Sequence, residues 1–104
     1  MYDLYGARDL SVDQVHRLVS AALGIAFRGH FSQEVGDYYF AEDGGSEFMV
    51  EGNLATDEDG AYHLEEDFAE YGTLLHAVTD RGDAIRESLA GIHGLTFLRR
   101  EYDA

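Results

Sequence analysis

Between Ser11 and Gly24, apolar residues at Val12, Val15, Leu18, Val19, Ala22 and Leu23 recur at spacings of three and four, which is the period of one helix face. Ser11 and Gln14 are spaced as a capping box, in which each side chain answers the other residue's free backbone N–H. Leu10 and Val15 occupy the positions of a hydrophobic staple around that cap, and Gly24 supplies a left-handed stop. The spacing predicts a helix over about residues 12–23. A second stripe, Ala84/Ile85, Leu89 and Ile92, predicts a helix from about Arg81 to His93, with Asp80 as N-cap and Gly94 beyond its end. Gly82 and Gly91 inside it are expected to cost about 1 kcal/mol each relative to alanine.

Elsewhere the pattern is extended. Strands are expected at Tyr2–Tyr5, Ala26–Phe31, Asp37–Ala41, Glu47–Glu51, Thr73–Val78 and Leu95–Arg100, with a weaker one at Ala61–Leu64. Asp43-Gly44-Gly45 is a hairpin-turn sequence, and Asp57-Glu58-Asp59-Gly60 a second turn. Glu65 to Gly72 carries neither period and reads as a loop or single turn with its charges in solvent. Antiparallel strands in a run, with helices near both ends, predict an α+β fold: a single antiparallel sheet with two helices packed on one face. The 104 residues make one domain, 1–104.

Composition narrows the class. With 45% apolar and 27% charged residues the chain falls in the globular range. No apolar run approaches the ~20 residues of a membrane span. The opening Met1-Tyr2-Asp3-Leu4 lacks the basic and apolar regions of a secretory signal, so a cytoplasmic location is expected. The absence of cysteine excludes disulfides, thiolate metal sites and cysteine nucleophiles.

Charge changes the picture most. There are 21 carboxylates against seven arginines and no lysine, for a formal net charge of −14. No basic side chain lies between Arg28 and Arg81, a stretch that carries 14 of the acids. The flanks are balanced, so the whole net charge resides in the middle of the chain. Such a field repels phosphates, which argues against direct nucleic-acid binding and against an anionic membrane surface. It favours a basic protein partner, through electrostatic steering.

Catalytic chemistry is not signalled. The five histidines include a His63-Leu64-Glu65-Glu66 fragment with helical ligand spacing, but nothing around it reads as a helix. Asp57 opens no calcium loop, because the sixth and twelfth positions from it hold Tyr62 and Phe68. No serine sits in a nucleophile elbow, and no glycine-rich loop has phosphate-binding spacing. No catalytic residue, metal ligand or cofactor is therefore expected.

One constellation stands above background. Asp57, Glu58, Asp59, Glu65, Glu66, Asp67 and Glu70 are interleaved with Tyr62, Phe68 and Tyr71. Interfaces draw most of their energy from a few aromatic anchors, while surrounding charges set orientation and on-rate. These ten residues form the candidate partner-binding face. In the competing reading, Phe68 and Tyr71 pack inward and the acids form a solvated loop.

With its length, its α+β layout and its acidic belt, Thr56-Asp57-Glu58-Asp59-Gly60 and Leu64-Glu65-Glu66-Asp67-Phe68, the chain resembles the small, acidic, cysteine-free immunity proteins that bacteria pair with secreted or contact-delivered toxins. The resemblance implies a non-enzymatic inhibitor that binds a cognate toxin, such as a nuclease, and occludes its basic cleft. Other readings stay open. They are a nucleic-acid mimic, a small-molecule-binding regulatory domain that dimerises through a sheet edge, and a small enzyme using His63 or His76 with a carboxylate.

Overall fold

The computed structural model describes residues 1–102. In chain order the elements are β1 (Tyr2–Ala7), α1 (Val12–Leu23), β2 (Arg28–Ser32), β3 (Gly36–Asp43), β4 (Ser46–Gly52), β5 (Leu54–Asp57), β6 (Gly60–His63), β7 (Thr73–Val78), α2 (Gly82–Leu89) and β8 (Leu95–Glu101). A single 3-10 turn at Glu66–Phe68 lies between β6 and β7. Six strands form one antiparallel sheet in the order β2-β3-β4-β7-β1-β8, while β5 and β6 pair separately as a small hairpin. The fold is α+β, as the order of periods predicts, with that hairpin as an addition.

Period-2 alternation divides each central strand between two environments. On one side Tyr5, Ala41, Phe48, Val50, Leu75 and Ala77 meet Val15 and Val19 of α1 and Ile85 and Leu89 of α2 in one apolar cluster. The α1 cap forms as expected, with Gln14 N–H donating to Ser11 Oγ and Ser11 N–H to Gln14 Oε1. The helix buries a narrower stripe than its sequence suggests. Leu18 is 40% exposed, because Val15 and Val19 alone point at the middle of the sheet.

The second helix departs from expectation at both ends. Asp80 does not cap it. Instead Thr79 Oγ1 accepts the Arg81 N–H at 3.0 Å, and Arg81 occupies the cap position without a side-chain bond. The helix ends at Leu89, four residues before His93, and Ile92 N–H already turns back onto Leu89 O. Gly82 is no mere weak helix former. A Cβ there would lie 2.7 Å from Arg100 Nη2 and also collide with Met1 Sδ, so the absence of a side chain lets the helix sit on the Arg100–Asp3 ion pair.

No helix is long and apolar enough to cross a membrane among the described residues. The other side of the sheet carries Leu4, Leu74, His76, Met49 and Glu51, and residues 53–72 fold across part of it. A β-bulge in β8 opposite Leu4 and Tyr5 inserts Leu98 into the ladder. As a result Leu98 reaches Gly6 and Arg99 reaches Glu65, both on this second side.

Candidate functional site

The acidic segment is positioned by one residue that sequence periodicity does not mark. Asn53 follows β4 and is almost fully buried. Its backbone N–H donates to Gly72 O and its carbonyl accepts from Leu64 N–H, both at 2.9 Å. Its side-chain Oδ1 accepts the Glu65 N–H at 2.8 Å, and Nδ2 donates to Phe68 O and Tyr71 O at 3.0 Å each. A buried amide with both ends bonded is a directional clamp, since an unmet polar atom there would be costly. It fixes both ends of the 64–72 excursion on the end of β4.

Aromatic side chains anchor the same excursion. Tyr71 packs closely against Gly6, where any Cβ would stand 2.8 Å from its Cβ and Cγ. The Arg8 guanidinium covers the Tyr71 ring at 4.9 Å, and Phe68 meets Tyr71 edge-on with ring centroids 6.3 Å apart. Glu65 is tied to Arg99 at 2.8 Å and is only partly exposed, unlike its expected place in solvent. The bulge in β8 turns Arg99 to this side, and that pairing draws Glu65 inward. Tyr62 is half-buried, its hydroxyl donating to Glu34 Oε1.

The ten candidate residues therefore divide. Tyr62, Glu65, Phe68 and Tyr71 face the protein. Asp57, Glu58, Asp59, Glu66, Asp67 and Glu70 are exposed, and none of these six forms an ion pair among the described residues. Asp57, Glu58 and Asp59 sit at the β5–β6 tip, where Asp57 Oδ1 accepts the Asp59 N–H at 2.8 Å and stiffens the turn. The Thr56 N–H donates to Glu34 O at 2.9 Å, which ties this tip to the β2–β3 turn. Most of the arginines are engaged elsewhere. Arg100 bridges Asp3 and Asp83, Arg17 pairs with Asp13, and Arg86 lies 3.9 Å over the Phe97 ring.

Beside this covering segment, β1, β4 and β7 bring together a tyrosine, a histidine and a glutamate. Tyr2 Oη lies 2.7 Å from His76 Nδ1, and His76 Nε2 lies 2.6 Å from Glu51 Oε2 in an oblique contact. Burial, reinforced by Glu65 and opposed by Arg99, pushes the Tyr2 hydroxyl up to about 12. Tyr2 therefore keeps its proton, and its hydroxyl stands within hydrogen-bond distance of Nδ1. Nδ1 is hydrogen-bonded, whereas Nε2 lies close to Glu51 without a well-aligned hydrogen bond among the described residues. Strand register makes this meeting, because Met49 pairs with His76 and Leu4 pairs with His76, and no local spacing announces it.

Of the other histidines, His16 has Nδ1 3.7 Å from Asp13 Oδ1 within α1. His16 stacks on Tyr39 with centroids 3.6 Å apart, and His30 on Tyr38 at 5.2 Å, both as aromatic packing. His63 lies half-buried in β6. Among the described residues no three histidine, aspartate or glutamate side chains converge as a metal-binding set. The edge strands of the sheet are β2 and β8, and on β2 Phe31 is 71% exposed. No protein-family model matches this chain and no curated protein matches its sequence, so the arrangement of these side chains alone carries the functional reading.

Proposed function

We propose that this chain is a non-catalytic binding protein whose acidic face occludes a basic protein partner, and that it serves as an immunity protein against a cognate toxin such as a nuclease. One observation carries the reading. Six carboxylates, Asp57, Glu58, Asp59, Glu66, Asp67 and Glu70, stand exposed without counter-ions among the described residues, on a segment clamped by Asn53 and Tyr71. Unpaired charge on a fixed scaffold raises association rates and spares the ordering cost of a mobile loop. Anchoring by Phe68 and Tyr71 is then internal, and the partner meets the acids first.

The test is affinity capture from the source organism with wild type and a Glu66→Lys/Glu70→Lys variant. Wild type is expected to retain a basic protein, and the variant to retain it about 10-fold less or worse, with an unchanged melting temperature. Equal capture by both proteins would remove this face as the site.

A second reading, a small enzyme, is favoured by the Glu51–His76 contact. It ranks lower because a substrate would have to displace Tyr2 or Glu51 to reach either imidazole nitrogen.

A further inference from the structure

Glu34 stands at the mouth of two adjoining hollows. The outer one is a shallow groove that runs past Thr56, Asp57 and Glu58 at the hairpin tip. The inner one descends along the second side of the sheet between Val35, Tyr38, Met49 and Leu64 and reaches Glu51. Glu51 is only 8% exposed, and its carboxylate makes one close polar contact among the described residues, Oε2 to His76. A buried carboxylate in an apolar-walled hollow retains strong attraction for a cation that can reach it without carrying its hydration shell.

An arginine side chain has the matching form. Its methylene stem gains by lying along Val35, Met49 and Leu64, while its planar, weakly hydrated guanidinium can stack on Tyr38 and donate to Glu51. A lysine ammonium is compact and strongly hydrated, so it loses more on entering such walls. The exposed acids at the hairpin tip line the approach to the mouth. We infer that this inner hollow is a receptor for one arginine side chain of the basic partner, with Glu51 as its anionic floor and Glu34 at its rim. This rests on the basic-partner reading and deepens it, since it turns a diffuse charge preference into a specific anchor.

The direct test titrates the intact protein with Nα-acetyl-arginine amide and with its neutral isostere Nα-acetyl-citrulline amide, at millimolar concentration. Nuclear magnetic resonance follows the Met49 methyl and the Tyr38 ring. The arginine probe is expected to shift both signals and the citrulline probe to leave them in place. The response should fall about 10-fold or more in Glu51→Gln. Should that variant fail to fold, Val35→Phe fills the hollow from the β2–β3 turn and leaves the carboxylate in place, with the same loss expected.

Equal shifts from the two probes, or an undiminished response in the folded variants, overturn the inference. The partner separates this anchor from the face reading. Capture that survives Val35→Phe undiminished overturns the anchor and leaves the acidic face standing. Arginine-probe binding together with undiminished capture by Glu66→Lys/Glu70→Lys supports the anchor and overturns the face.

Discussion

The two sides of the sheet are built from different forces. Under the helices, Val15, Val19, Phe48, Val50, Leu75, Ile85 and Leu89 form a continuous apolar cluster, held by non-directional burial. On the opposite side the 53–72 excursion is held by directed contacts, among them the Asn53 amide bonds, the Arg99–Glu65 pair and the fit of Tyr71 on Gly6. Apolar packing tolerates substitution of similar volume, whereas a hydrogen-bonded clamp fails when one atom is lost. The difference allots stability to the first side and the display of unpaired carboxylates to the second.

That contrast breaks most sharply at Phe48. Phe48→Ala should cost about 3–5 kcal/mol, and a shifted denaturant midpoint should report loss of both sides in one transition. Asn53→Ala should cost about 1–3 kcal/mol, since it strips partners from the Glu65 N–H and from the Phe68 and Tyr71 carbonyls. Its signature is local: amide exchange should quicken across residues 64–72 while the amides of α1 keep their protection. Equal quickening on both sides would mean that the clamp and the core are one cooperative unit.

These differences decide what is legible in sequence. The α1 stripe, the Ser11–Gln14 cap and the Gly44-Gly45 turn are local patterns, and each forms where its spacing places it. The acidic excursion shows its charges and aromatics in sequence but no helix or strand period, because its order comes from Asn53 and from contacts far along the chain, such as Tyr71 with Gly6. β5 is missed for a related reason. Only Ala55 of its four residues is buried, so no alternation of large apolar side chains signals a strand. The Tyr2–His76–Glu51 row joins three strands by register alone. The six unpaired acids are visible as composition, but Glu65 can be told from Glu66 only once the β8 bulge places Arg99.

Smaller effects sharpen the comparison at the sheet's end. By helix propensity alone Gly82→Ala should stabilise α2, but the added Cβ would strike Met1 Sδ and Arg100 Nη2. The net result should be a loss of about 1–2 kcal/mol, read from the thermal midpoint. A gain in stability would show that Met1 and Arg100 swing aside freely.

The smallest effect at neutral pH is the tyrosine titration. Tyr2 and Tyr5 are both pushed up to about 12, first by burial and then by Glu65 and Asp3 respectively. A group whose folded value is raised holds its proton more tightly in the folded state. Its contribution is therefore complete below the unfolded value, about pH 10, and is lost as pH rises toward about 12. Stability should fall steeply across that window. Tyr5→Phe should soften the fall, and because the Tyr5 hydroxyl has no hydrogen-bond partner among the described residues, the change orphans no neighbour.

The most direct measurement of what the exposed carboxylates do is the association rate of the basic partner proposed above, once capture has retained it, followed against sodium chloride concentration. Wild type is compared with a variant neutralised at Asp57→Asn, Glu58→Gln, Asp59→Asn, Glu66→Gln, Asp67→Asn and Glu70→Gln. Electrostatic docking on this face requires a rate that falls steeply with salt in wild type. In the variant the rate should be slower by about 10-fold or more at low salt and nearly flat in salt, with the melting temperature preserved or raised. Equal rates and equal salt dependence in the two proteins would contradict it.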